Sequence, residues 1–389
     1  MHMKGRQKLG SKPGGRLAAL AGFGIMVLAG ACTAIPAAQP PVRAVAQRPA
    51  SPPPPPVRPV QAPPPSPIEQ VNQGRAGLDR PSPALVSVIE TLGRNFNGHV
   101  GIAVQRVDTG WTVAWNGNDL FPQQSVSKLW VAMTMLDAVD RGRLTLDTQV
   151  TVRPSDLTLF HQPIASLVST SGYSTSLRDL FQRAMTQSDN TANDKVLGSV
   201  GGPEAVRGYL ARRFFGQDAI RFGPGERMLQ SQTAGITWSQ DLSQGRRFYT
   251  ARANLPRSAR ERALDAYLAD PPDGAAPLAI VKALAKLKNG DMLSPASTQL
   301  LLDTMAQART GPQRVKGGVP AGWHYAHKTG TGQDLPPRST GYNDVGIMTA
   351  PDGTSYAIAV MIGETTVTIP QRWELMQAVS RAVAALHRG

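Results

Sequence analysis

Ser125 and Lys128 stand three residues apart at the head of a segment that is apolar nearly all round: Leu129, Trp130, Val131, Ala132, Met133, Met135 and Leu136. Such a segment reads as a buried helix. At ~100° per residue, the serine and the lysine lie ~60° apart on one face of it. A lysine there loses hydration, which favours its neutral form. An amine so placed draws the proton from a hydroxyl that is a weak nucleophile on its own. Two further clusters follow. Ser188-Asp189-Asn190 supplies a second hydroxyl and an amide just before a helix over Thr191 to Leu197. The same trio also suits a helix N-cap. Lys328-Thr329-Gly330-Thr331-Gly332 closes a strand read from Trp323 to His327 and sets a cation beside hydroxyls. No helix follows it and it lacks the phosphate-loop pattern, so nucleotide binding is not indicated. Together these groups equip the chain to attack an acyl group on a carboxylate-bearing substrate, with the helix start aiming free amides at the developing charge.

Elements that can position these groups are legible on either side. Ala84 to Phe96 has apolar residues at helical spacing, Gly98 to Val107 and Trp111 to Trp115 form a hairpin, and Asp344 to Thr349 and Ser355 to Ile362 form a second around Pro351-Asp352-Gly353. Pro370 opens a last helix through Leu386. Between them, about 125 to 310, the pattern is helical: Lys128 to Val139, Ser176 to Met185, Asn193 to Ser199, Pro203 to Phe214, Pro277 to Leu287 and Ser297 to Met305. The expectation is an α+β fold, an α/β sandwich. Its antiparallel sheet is built from N- and C-terminal strands and flanked by helices, with a large all-helical subdomain inserted.

The first 82 residues read differently. Lys4, Arg6, Lys8, Lys12 and Arg16 precede an apolar run from Leu17 to Leu28, and Ala29-Gly30-Ala31 leads to Cys32, the only cysteine of the 389 residues. That is the pattern of an export signal over 1–31, too short for a comfortable membrane span. Leu28-Ala29-Gly30-Ala31-Cys32 resembles a bacterial lipoprotein box, so Cys32 is the expected lipidation site. The small residues also fit ordinary signal-peptidase cleavage, and the lipid anchor is the favoured reading. Residues 32–82 carry Pro52 to Pro56 and Pro63-Pro64-Pro65 and read as an extended spacer before a catalytic domain at 83–389. Ten Lys/Arg against two Asp/Glu in 1–82 account for +8 of the net charge of +14. The remainder is spread without a dense basic run, which argues against nucleic acid as a partner.

The ordered set of motifs resembles a class A serine β-lactamase of the penicillin-recognising acyl-serine transferases. The resemblance covers roughly 84 to 388 and extends to Phe121-Pro122, Ser188 to Asn193, Gly201-Gly202-Pro203, Leu293 to Ser297 and Val319 to Trp323. It implies a hydrolase that opens the β-lactam amide through an acyl-serine on Ser125 and confers antibiotic resistance. Lys128 assists the attack, Ser188 passes a proton to the leaving nitrogen, and the amides of Ser125 and Thr331 form an oxyanion hole. Lys328, Thr329, Gly330 and Thr331 receive the substrate carboxylate and Asn190 its side-chain amide. Glu226-Arg227-Met228-Leu229-Gln230 resembles the Ω-loop signature, making Glu226 the deacylating base and Gln230 its partner on the water. No metal or cofactor is implied. The small-molecule β-lactam is the expected partner, with peptidoglycan a further candidate, and a periplasmic monomer held to the outer membrane through Cys32 is expected. Without a working Ω-loop, the same motifs would describe a D,D-carboxypeptidase or penicillin-binding protein that acylates and deacylates slowly.

Four departures from the family pattern stand out. Gln230 replaces an asparagine, and Pro224 stands where the Ω-loop arginine is usual. The Ω-loop region, about 221–276, is some thirty residues longer than the pattern and includes Arg246, Arg247, Arg252 and Arg257. Asn343 replaces the carboxylate-assisting arginine, a role for which Lys316 is the expected substitute, though lysine lacks the bidentate fork.

Overall fold

The computed structural model describes residues 79–214 and 219–389. The signal-like segment, Cys32 and the proline-rich stretch up to residue 78 lie outside these residues. Helix α1, Pro83–Asn95, starts where the Ser82 hydroxyl accepts the amide of Leu85 and Pro83 fills the first turn. Strands β1, Gly98–Arg106, and β2, Thr112–Trp115, form the first hairpin. After β3, Phe121–Pro122, a tight turn over Gln124–Ser127 leads into α2, Lys128–Asp140. A ribbon of β4, Gln149–Val152, and β5, Tyr173–Ser176, precedes α3, Leu177–Gln182. Then come α4, Asn190–Ser199, and α5, Gly202–Phe214. The Ω region holds α6, Glu226–Thr233, α7, Arg247–Asn254, and α8, Arg257–Ala269. Strand β6, Gly274–Ala275, pairs with β3 and is followed by α9, Pro277–Lys288, and α10, Pro295–Ala306. Strands β7, His324–Gly330, β8, Ser339–Thr349, and β9, Ser355–Thr365, lead to α11, Ile369–Ala385.

The terminal strands join as expected into one antiparallel sheet, in the order β2-β1-β9-β8-β7. Alternation along the strands divides two cores. Val100, Ile102, Val104, Ile358, Val360 and Ile362 pack with Leu85 and Ile89 of α1 and Met376 and Val379 of α11. The small residues Ala103, Ala357 and Ala359, with Met361, face the other way and join the core around Trp130, Leu129 and Ile280. Gly101 is required on that face, since a Cβ there would lie 2.4 Å from Phe121 and 2.6 Å from Pro277. Helix α9 packs on the sheet through β1, β8 and β9, and α2 is buried on nearly all sides, as its composition indicates.

The structure differs from the sequence expectation in details that matter for the cleft. Lys328-Thr329-Gly330 lies within β7, not beyond its end, because the strand keeps pairing with β8 as far as Gly330 opposite Asn343. The helix expected over Ser176 to Met185 stops at Gln182, and a wide π turn over Arg183–Gln187 delivers Ser188 in the left-handed region, φ 61°. The segment 125–310 is mainly helical but includes the β4–β5 ribbon and β6. Glu226 opens a helix where a loop was read, and the long Ω region is itself folded into α7 and α8. Ile89 is fully buried between α1 and the sheet. Replacing it with alanine is expected to lower the free energy of unfolding by about 2–5 kcal/mol, read by urea titration; an unchanged midpoint contradicts this packing.

Candidate active site

Ser125 sits in the turn that feeds α2, directly after Gln124, a non-glycine residue held at φ 52°. L-residues avoid this region by about 1–2 kcal/mol, so surrounding contacts must impose it. Strand β7 passes hard against the same turn. A Cβ on Gly330 would come within 2.3 Å of the Gln123 carbonyl, so only glycine lets the strand approach the Ser125 turn this closely. Asn343 ties the two together, its amide donating to the carbonyls of Pro122 at 2.7 Å and Gln123 at 3.1 Å.

The Lys128 ammonium is buried and donates to Ser125 Oγ at 2.8 Å, to Asn190 Oδ1 at 2.9 Å and to Glu226 Oε1. Glu226 is the carboxylate partner that burial of this lysine requires, and the pair lies between α2 and α6. The other Glu226 oxygen accepts from Gln230 Nε2 at 3.3 Å. Helix α6 has Gly225 at its N-cap, with no capping side chain of its own. Asp194 of α4 supplies the cap from outside, accepting the amides of Glu226 at 2.9 Å and Arg227 at 3.3 Å. Enclosure and the nearby Glu226 charge push the Asp194 carboxyl up to about 6.

Across the cleft the Lys328 ammonium is fully buried and donates to Ser188 Oγ at 2.8 Å. Burial, with the Lys128 and Arg314 cations nearby, holds it well below the usual lysine range. Ser188 therefore accepts from Lys328 and keeps its own proton available to a third group. Asp189 turns away and caps α4 by accepting the amide of Ala192 at 2.9 Å, while it also accepts Ile164 N at 2.6 Å. Both readings of this trio thus hold, one residue capping and its two neighbours facing the cleft.

A cavity of about 270 Å³ opens between these elements. Ser125, Ser188, Asn190, Gln230, Thr329 and Thr331 line it together with Phe160, His161, Thr310 and Arg314. Lys316, expected to substitute for the missing arginine, is not among the lining residues. It lies in the tight turn Val315–Gly318, two residues beyond the position that lines the cavity. Arg314 takes that position. Its guanidinium lies 3.7 Å over the Tyr342 ring and donates to the carbonyls of Gly330 at 2.7 Å and Asn343 at 2.6 Å. Its Nη2 donates to Thr331 Oγ1 at 2.6 Å, leaving the Thr331 hydroxyl proton for another acceptor. Sequence reading missed Arg314, Asp194, Phe160 and His161. Arg314 lies fourteen positions before Lys328 with no local pattern to mark it, whereas Asp194 stands four residues beyond Asn190 and was open to notice.

The chain matches the model of the β-lactamase enzyme family over residues 84–386. It is 30% identical over 285 residues to the extended-spectrum β-lactamase PER-1 of Pseudomonas aeruginosa, covering 73% of this chain and 81% of that protein. A crystal structure of a β-lactamase from Chitinophaga pinensis superposes with a TM-score of 0.63 at 29% identity, over 77% of this chain and 99% of the other. An ancestral class A β-lactamase superposes with a TM-score of 0.62 at 27% identity, over 78% and 100%.

The cap on α6 gives a pH prediction. Above about pH 6 the Asp194 carboxylate accepts both amides; below it, a protonated oxygen faces an N–H and the start of the helix loosens. Turnover is expected to fall on an acidic limb centred near that value. Asp194→Asn, which mimics the protonated form, should lose this limb and turn over ~10-fold more slowly at neutral pH. A variant that keeps the same limb contradicts the assignment.

Proposed function

This chain belongs to the β-lactamase enzyme family, and on that premise we propose that it hydrolyses β-lactams through an acyl-serine on Ser125, with Glu226 activating the water that releases it. The observation that carries this reading is the single ammonium of Lys128, which contacts both the Ser125 hydroxyl and the Glu226 carboxylate. A proton leaving Ser125 Oγ has a short path through Lys128 to Glu226. The nucleophile is thereby activated without becoming a free alkoxide. The amides of Ser125 and Thr331 receive the developing oxyanion, a contribution commonly of about 3–4 kcal/mol.

Breaking of the C–N bond needs a proton on the departing nitrogen. Ser188 gives it, because Lys328 occupies its oxygen as donor and leaves its O–H free. The lowered hold of Lys328 on its proton suits it to restore the one Ser188 loses. The substrate carboxylate is met by Lys328, by the hydroxyls of Thr329 and Thr331, and by Arg314. Asn190 takes the side-chain amide, with its own side chain fixed by Lys128 and the carbonyl of Leu159. Over the first half the proton taken up by Glu226 makes good the one Lys328 gives to Ser188, which leaves Glu226 ionised; in the second half Glu226 and Gln230 hold the water that attacks the ester, and the water's proton reaches the released Ser125 Oγ by way of Glu226 and Lys128. A D,D-peptidase is not favoured, since the reported relatives are β-lactamases and a buried carboxylate stands beside the nucleophile.

The signal-like run, Cys32 and the proline-rich spacer support export and lipid anchoring on the periplasmic side, with the catalytic domain at 83–389 carried beyond the membrane. Among the described residues no helix is long and apolar enough to cross a membrane.

Two experiments test this reading. With a chromogenic cephalosporin the wild type should turn over continuously, while Glu226→Ala should slow deacylation by about 10²–10⁴-fold and trap a covalent adduct visible by mass spectrometry. A single stoichiometric burst from the wild type would sink the proposal. The carboxylate site is tested by Arg314→Ala, expected to raise KM by ~10- to 100-fold, against Lys316→Ala, expected to change it little. Equal effects of the two would reverse the assignment.

A further inference from the structure

Besides Glu226 and Gln230, the long Ω region sends further side chains towards the site. Tyr267 of α8 is buried and its hydroxyl lies 2.6 Å from Gln124 Nε2 and 2.9 Å from Asp273 Oδ1. The second oxygen of Asp273 accepts the backbone amide of Gln124 at 2.7 Å. Gln124 Oε1 in turn accepts from Gln230 Nε2 at 2.9 Å, and that same nitrogen reaches Glu226 Oε2. Beyond it, Gln333 Nε2 donates to the Gln230 backbone carbonyl at 2.7 Å and to its Oε1 at 3.2 Å. A buried chain of hydrogen bonds therefore runs from the insertion to the carboxylate assigned to deacylation.

The direction of that chain is not fixed by the glutamines. An amide donates from one end and accepts at the other, so a row of them bonds equally well either way round. An ionised carboxylate breaks the tie because it only accepts. Asp273 obliges the Tyr267 hydroxyl to donate to it, so Tyr267 must accept from Gln124 Nε2. Gln124 then offers Oε1 to Gln230, and Gln230 must place its nitrogen towards Gln124 and Glu226. Reversal would set the Gln230 carbonyl oxygen against the Glu226 carboxylate, a repulsion in a site with little water to screen it.

We propose that Tyr267 and Asp273 are positioning residues for deacylation: they fix the orientation of the Gln124 and Gln230 amides so that Gln230 presents an N–H to Glu226. This rests on the reading of Glu226 as the base for the acyl-enzyme. It gives the lengthened Ω region a chemical task, since Tyr267 lies within that region.

Two variants of the full chain separate orientation from simple support. Tyr267→Phe removes the hydroxyl and leaves Gln124 Nε2 without its acceptor. Asp273→Asn keeps every partner bonded but permits the reverse order: its oxygen accepts Gln124 N, its amide donates to Tyr267, and Tyr267 donates to Gln124. Stopped-flow measurements with a chromogenic cephalosporin and mass spectrometry of quenched enzyme give the readout. For both variants, acylation should stay within about threefold of wild type. Both kcat and KM should fall together by ~10- to 100-fold, with acyl-enzyme as the dominant species. Asp273→Asn should melt close to wild type. Variants that melt early but keep kcat and KM show mere support and overturn the proposal, as does an acylation loss equal to the deacylation loss. A wild type that halts after one turnover overturns the Glu226 reading and this one with it. Sustained turnover by wild type and both variants alike overturns the amide chain alone.

Discussion

Everything in the cleft is arranged around one buried ion pair, Lys128 with Glu226. A lone ammonium at the core end of α2 would cost several kcal/mol to desolvate, and so would a lone carboxylate at the start of α6. Each makes the other tolerable, and together they link the nucleophile's helix to the Ω region. The pair also accounts for a difference from the sequence reading, which saw a lysine deprived of hydration but not the acid that accompanies it. The constraint propagates outward. Helix α6 must present Glu226 from its first residue, so its N-terminal amides face Asp194, and the glycine before them leaves room for that carboxylate, whose oxygens would lie 3.1 Å from a Cβ.

The opposite wall is governed by approach distance. Strand β7 can lie against the nucleophile's turn only because Gly330 has no side chain, and Asn343 of β8 stitches the turn to the sheet from behind. That role explains why Asn343 does not reach the cleft in the manner of an arginine. The cation is supplied instead from outside the sheet by Arg314, stacked on Tyr342 and bonded to the edge of β7. The carboxylate end of the site is consequently rigid.

Much of this was legible in the chain itself, for reasons that differ by residue. Ser125 with Lys128, and Ser188 with Asn190, are separated by a helical step or less, so local geometry ties them together. The sheet was legible because both hairpins carry turn residues and alternating apolar positions. Arg314, Gln124 and Gln333 were not, because they meet their partners only through tertiary contact across large separations in the chain. Lys316 was expected from its place in the family pattern, and the cation that lines the cavity is Arg314, two positions earlier. The Ω region was read as loop because its polar composition hides short helices. They hold through a small core of Leu264 and Tyr267 against Leu229 and Leu335, which no local periodicity reveals.

That small core has a kinetic consequence. It joins α6, which carries Glu226, to the loop after β7, which starts as a rim of the cavity at Thr331, and Arg257 adds a bond from α8 to the Pro336 carbonyl at 3.0 Å. That loop and Glu226 are therefore packed into one unit. A compound too bulky for the cleft that displaces this loop is expected to draw Glu226 with it, after its acyl group has already been transferred. With Glu226 as the proposed base, poor fit would convert into long residence of a covalent adduct, and the boundary between substrate and inhibitor would be set by how far that unit yields.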